Sequence, residues 1–263
     1  MALIQCGFFA QTLGLSMSMN VVIPERSYGI GVEASGAPAG GKYPVLYLLH
    51  GLSDDHSIWL RRTSVERYAA EYGIAVVMPE VHRSFYTNMK SGLDYWTFIS
   101  EELPHVAQSL FPISGKREDS FAAGLSMGGY GAMKLGLRAP DKFAAVASLS
   151  GAMDILALNY EGAPLSQKEY SWIFGSVEEA TGSDDDLLAL AERAFSAGVT
   201  LPKLYQWCGT EDFLYADNIR FRDHVRSLGI DLDYEEGPGD HGWGYWDTYI
   251  QRVLAWLPLQ GRA

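Results

Sequence analysis

Apolar and polar residues follow two different patterns along this chain, and the change between them divides it. Residues 7–13 (GFFAQTL) and 15–25 (LSMSMNVVIPE) contain period-two or β-rich stretches, with Gly14 between them as a turn. They predict an antiparallel pair. Beyond them come near-uniformly apolar runs of strand length: PVLYLLHG (44–51), IAVVMPE (74–80), SFAAGLS (120–126), FAAVASLSG (143–151) and PKLYQWCG (202–209). Runs apolar at every position suit strands covered on both faces, as in a parallel sheet. Between them lie segments of helical periodicity: WLRRTSVERYAAEY (59–72), YWTFISEELPHVAQSLF (95–111), GYGAMKLGLRA (129–139) and YADNIRFRDHVRSLG (215–229). Asp54 or Asp55 is a candidate cap for the first, and Gly229 ends the last. A strand DLDYEEGPG (231–239) and an amphipathic helix GWGYWDTYIQRVLAWLP (242–258) complete the chain.

This alternation predicts an α/β architecture: a mostly parallel, doubly wound sheet with antiparallel N-terminal strands. No repeat divides the chain, so residues 1–263 read as one domain. The linker-like GVEASGAPAGGKYP (31–44) lies too near the N-terminus to separate domains and reads as a loop feeding the next strand. Residues 152–200 are too long for a plain crossover and read as a small, partly helical cap insertion. Within them Ser183, followed by Asp184, Asp185 and Asp186, has the character of a helix N-terminus with acids complementing the dipole, which leaves no reason to place a metal there.

The chemistry concentrates at GLSMGGYGAM (124–133), where Ser126 stands between glycines after a strand and before a helix. G-x-S-x-G in that setting is the nucleophile elbow of α/β-hydrolases, whose glycines let strand and helix cross closely around a strained serine. A serine hydroxyl needs a base, and the base needs an orienting acid, in the chain order Ser, Asp or Glu, His. Two histidines follow Ser126. His224 falls inside a helical segment, whereas His241 stands between the last strand and the last helix. His241 is the better base. For the acid, the loop CGTEDFLYAD (208–217) offers Asp212, with Glu211 as runner-up. The oxyanion needs two backbone donors. Met127 N–H follows the nucleophile, and Leu52 N–H follows the glycine of the first HG pair. His50 reads as an organiser of that loop. Trp59, Tyr86, Tyr95 and Trp172 are candidate pocket-lining residues, with Tyr160 and Phe174 beside them; Trp243, Tyr245 and Trp246 read as packing for the last helix.

Composition narrows the partners. The net charge of −12 argues against nucleic acid as a partner and disfavours an anionic membrane, leaving a small-molecule ester as the expected partner. No histidine spacing suggests a metal, and the chemistry requires no cofactor. The N-terminal MALIQCGFFAQ lacks a basic n-region and a small-residue cleavage site, which predicts a cytoplasmic protein. Cys6 and Cys208 lie in apolar stretches and read as buried thiols.

Taken together, YPVLYLLHGLSDDHSIWLRRTSVERYA, IAVVMPE, DYWTFISEELP, AGLSMGGYGAMKL, WCGTEDFLY and HGWGYW resemble the esterase D-type branch of the α/β-hydrolases, in particular the short-chain tributyrin esterases of Firmicute bacteria. The resemblance covers most of the chain. It implies an α/β-hydrolase fold, a cytoplasmic carboxylesterase acting on short acyl esters, and a homo-dimer or homo-tetramer. It carries over Ser126, Asp212 and His241 as nucleophile, acid and base, and the Leu52 and Met127 amides as the oxyanion hole. S-formylglutathione hydrolases of the same group typically carry histidines where this chain has Leu125 and Tyr130. Other relatives deacetylate or deferuloylate carbohydrates, and mycolyltransferases share the fold. An acyltransferase and a non-catalytic binding protein are the remaining alternatives.

Overall fold

In the computed structural model, which describes residues 1–25, 41–160 and 162–259, eight strands form one sheet in the order β1-β2-β4-β3-β5-β6-β7-β8. Their ranges are β1 Ala2–Ala10, β2 Leu15–Ile23, β3 Val45–Leu49, β4 Ala75–Pro79, β5 Ser120–Leu125, β6 Ala145–Leu149, β7 Lys203–Gly209 and β8 Asp233–Gly237. β1 and β2 pair antiparallel from Ala2↔Ile23 to Ala10↔Leu15, and Gly14 takes the positive φ of 69° that their turn requires. β2 joins β4 antiparallel, and all pairs from β4 to β8 are parallel.

The central strands are apolar throughout because both faces are covered, and every residue of β3, β4, β5 and β6 is buried. On one face, Tyr47, Leu49, Val77 and Ala122 pack in a core with Tyr130 and Met133 of the helix Met127–Arg138. On the other, Leu46, Leu48, Val76, Ala123 and Trp207 share a core with Trp59, Tyr68 and the last helix, Trp243–Trp256. That last helix buries Trp246, Ile250, Val253 and Leu254, a spacing of three or four residues that puts them on one stripe.

Several local expectations change. The segment 59–72 is two helices, Ile58–Arg62 and Val65–Tyr72. The break is made by Thr63, whose hydroxyl donates to Trp59 O and accepts from Val65 N–H, replacing a helical turn with a side-chain turn. Neither Asp54 nor Asp55 caps it; Asp55 instead accepts from the backbone and hydroxyl of Ser57. The helix expected after Ser183 begins at Leu187, where Asp186 accepts from the Leu188 and Ala189 amides. The connection from β6 to β7 also holds the helices Gln167–Phe174 and Val177–Ala180, each opened by a capping box from Ser166 or Ser176. Both thiols are free; Cys208 is buried, but Cys6, on edge strand β1, is only half covered. Residues 31–40 of the expected linker-like loop lie outside the described residues. No helix among the described residues is long and apolar enough to cross a membrane.

Candidate active site

Parallel strands leave their connecting loops at one end of the sheet, and the loops after β3, β5, β7 and β8 meet there. β5 runs straight into the helix Met127–Arg138 through Ser126, whose φ of 53° and ψ of −120° lie in a region that side-chain-bearing residues rarely occupy. The flanking glycines have steric causes. A Cβ on Gly124 would stand 2.3 Å from Gly128 O, and one on Gly128 would stand 2.4 Å from Leu49 O. The turn therefore exists only because strand, helix and β3 touch through bare backbone.

Asp212 and His241 arrive on two loops joined in the same way. A Cβ on Gly209 would meet Gly239 O at 2.0 Å, and the amides of Thr210 and Glu211 donate to the carbonyls of Gly237 and Gly239. Glu211, the alternative acid, does something else: its Oε2 accepts the Gly239 N–H at 2.5 Å, fastening the histidine loop to the aspartate loop. The carboxylate of Asp212 is shielded from solvent and accepts from the Leu214 amide at 2.9 Å. His241 Nδ1 lies 2.8 and 3.0 Å from the two Asp212 oxygens, and its Nε2 lies 3.0 Å from Ser126 Oγ. Because a carboxylate only accepts, the Nδ1 proton faces Asp212 and Nε2 is left as the acceptor for the serine hydroxyl. The imidazole is further held between Phe213, 4.6 Å away between ring centroids, and the edge of Trp246 at 4.9 Å. His224, by contrast, faces Leu188 O and Glu192 away from this constellation.

The loop after β3 is organised by His50. Its Nδ1 donates to Gly51 O at 2.7 Å, and its Nε2 accepts from the Val81 amide at 3.1 Å. Among the described residues, the Leu52 and Met127 amides donate to no carbonyl or side chain, and both residues adjoin the loops that face Ser126. A cavity of about 420 Å³ opens over Ser126 and His241, walled largely by Leu125, Leu158, Leu165, Phe213, Trp243 and Trp246.

The "Esterase: Putative esterase" family matches residues 10–257, nearly the whole of the chain. The chain belongs to this family. An acetyl esterase from Caldicellulosiruptor saccharolyticus is 31% identical over 267 residues, covering 98% of each protein. Among solved structures, the fluorophosphonate-binding serine hydrolase FphF of Staphylococcus aureus is 36% identical with a TM-score of 0.87, over 97% of this chain and 98% of that one. The S-formylglutathione hydrolase FrmB of the same organism is 35% identical with a TM-score of 0.85, over the same shares of the two chains. The sheet is thus that of the α/β-hydrolase fold, and the chain is a serine hydrolase of the carboxylesterase class.

The four aromatic residues expected in this esterase's pocket lie elsewhere. Trp59 is buried beneath it, donating from Nε1 to Leu49 O at 3.0 Å and bracing Trp243 edge-on. Tyr86 is fully buried, with its hydroxyl donating to His50 O. Tyr95 and Trp172 line a separate groove with His82, Met89 and Ile173. Trp59 and Tyr86 are consumed by packing, where a large ring buries its apolar area in the core. Trp243 and Trp246, read from the sequence as packing alone, do face the cavity. Phe213, Leu158 and Leu165 were not anticipated; only Phe213 carried a signal, as the neighbour of Asp212.

Spacing offered no metal ligands, yet folding brings one donor atom each of Asp55, His56 and Glu80 within 4.8 Å of one another. Those atoms already serve the chain: Asp55 accepts from Ser57, and Glu80 accepts from the His56 amide and lies 3.3 Å from its Nδ1. The cluster fastens the β3 loop to the end of β4.

Proposed function

We propose that the chain hydrolyses short-chain acyl esters through Ser126, His241 and Asp212 and an acyl-enzyme intermediate. The observation that carries this reading is the unbroken contact from Ser126 Oγ to His241 Nε2, at 3.0 Å, and from Nδ1 to Asp212, at 2.8 Å. His241 takes the serine proton as Oγ attacks the ester carbonyl, and Asp212 stabilises the imidazolium that forms. The Leu52 and Met127 amides hold the oxyanion. His241 then protonates the departing alcohol, and water releases the acyl group with His241 again acting as base. The small, mainly apolar cavity supports short acyl chains.

The likeness to FrmB favours a second reading, hydrolysis of S-formylglutathione. Against it, Leu125 and Tyr130 are both buried here, and the Tyr130 hydroxyl is engaged with Asp185 O at 2.7 Å. The test is kcat/KM on p-nitrophenyl acetate, butyrate and octanoate, methyl ferulate and S-formylglutathione. The short p-nitrophenyl esters lead, and Ser126→Ala lowers kcat by about 10⁴-fold or more without lowering Tm. Dominance of the thioester by orders of magnitude replaces the first reading with the second. Near-normal turnover by Ser126→Ala ends both.

A further inference from the structure

The cavity over Ser126 holds one charged group that the reaction does not use. Among the described residues lining it, Asp54 is the sole carboxylate, and Ser53 beside it is the sole hydroxyl other than Ser126. Both come from the loop that carries the Leu52 amide. The placement of Asp54 depends on Gly51: a Cβ at that position would stand 2.9 Å from Asp54 Oδ2, 2.8 Å from Leu125 Cδ1 and 3.7 Å from Ser126 Cβ. Asp54 and Ser126 therefore line the same cavity on either side of the bare Cα of Gly51, and any side chain there would push the carboxylate out of its place. Asp54 forms no ion pair among the described residues, although its neighbours Asp55 and Glu80 are engaged with Ser57 and His56. Burial raises its carboxyl above the ordinary value, with His50 and the Gly51 amide only partly offsetting this. A half-buried acid that forms no ion pair carries a desolvation cost.

We propose that Asp54 is a specificity-determining residue that accepts a hydrogen bond from a hydroxyl group of the substrate, so that the preferred esters are hydroxylated ones. This rests on the esterase reading given above. A carboxylate in an otherwise apolar cavity rewards a ligand that brings a donor to it and penalises one that leaves it unpaired and desolvated. The hydroxyl can belong to the alcohol, as in a polyol ester, or to the acyl group, as in a hydroxy-acid ester. The chemistry at Asp54 is the same in both.

Two matched pairs of substrates separate the sources: glycerol 1-acetate against n-propyl acetate, and methyl 3-hydroxybutyrate against methyl butyrate. For each pair the ratio of kcat/KM is measured in the wild type, Asp54→Ala and Asp54→Asn, with p-nitrophenyl acetate reporting general competence. In the wild type, at least one hydroxylated ester leads its partner by about tenfold or more. Asp54→Ala brings that ratio to near one while leaving the unhydroxylated partner's kcat/KM unchanged or higher. Asp54→Asn, which keeps an acceptor oxygen, retains part of the preference. The pair that shows the effect identifies the side of the ester that carries the hydroxyl. Wild-type ratios near one for both pairs overturn the proposal, as does a preference that survives Asp54→Ala. So does an equal fall on both members of a pair, the sign of a structural role. Each of these outcomes, with p-nitrophenyl acetate still turned over and still dependent on Ser126, leaves the esterase reading standing. Loss of Ser126-dependent turnover in the wild type is the separate result that removes both.

Discussion

Ser126, Asp212 and His241 stand on turns fixed by backbone lying against backbone, whereas the connection from β6 to β7, which supplies Leu158 and Leu165 to the cavity, packs on the core and is pinned to the body by polar side chains. In the first region the spacing is set by contacts such as Gly124 to Gly128 O, Gly128 to Leu49 O and Gly209 to Gly239 O. In the second, Lys134 reaches out of the helix that follows Ser126 to Asp185, Thr87 Oγ1 and Tyr86 O. Arg220 holds Asp154, and Arg83 holds Glu169. Hard steric contact holds reacting atoms to a fraction of an ångström, which proton transfer and attack demand. Ion pairs hold a wall in place but respond to charge and pH.

The largest expected effect comes from breaking the steric side. In Gly128→Ala the new methyl meets Leu49 O and His50 O, neither of which can rotate away. The variant loses more than about 3 kcal/mol of stability and at least about a hundredfold in kcat, measured by denaturant melts and p-nitrophenyl acetate turnover. A folded, active Gly128→Ala protein would show that the elbow tolerates slack.

Breaking the polar side costs less and leaves a different trace. Asp185→Asn strips the charge partner from a fully buried lysine while Asp185 itself is partly exposed, so a loss of about 2–3 kcal/mol is expected, with KM raised more than kcat is lowered. The pair also carries a pH signature. Burial, against the pull of Asp185, lowers Lys134 to about 8 from its ordinary value of 10.5. Between those values the unfolded chain binds a proton that the folded chain does not, so this group's contribution to stability rises as the pH climbs from 8 to 10.5. The Tm difference between wild type and Lys134→Met therefore moves in the wild type's favour across that window; a flat difference would mean that the lysine is not perturbed.

The smallest effect tests the seam between the Asp212 and His241 loops. Glu211→Ala removes the acceptor for the Gly239 amide but leaves the Gly209 contact, so kcat falls by less than about tenfold and Tm hardly changes. A loss as large as that of Asp212→Asn would make Glu211 the orienting acid after all.

What could be read from the chain follows the same division. The strands, the elbow and the order Ser126, Asp212, His241 were legible because each is written locally: continuous apolar runs, glycines two residues either side of a serine, and loops at strand ends. The cavity wall was not. Leu158, Phe213 and Trp243 come from separate connections, and their meeting depends on long-range packing that no window of sequence contains. Size misled the choice of Trp59 and Tyr86, since large rings are claimed first by the core. The acidic run 183–186 offered four residues able to cap, and only the fold selects Asp186. Thr63 broke a helix that periodicity had joined.

The connection between β6 and β7 has one further property. The two strands it joins are paired directly from Ala145↔Lys203 to Leu149↔Trp207, and that pairing does not depend on how long the path between them is. Lengthening such a path carries an entropic penalty that grows only with the logarithm of its length. The segment can thus gain length between its buried anchors over generations without moving the reacting atoms, letting one hydrolytic engine acquire new diets by enlarging a single insert.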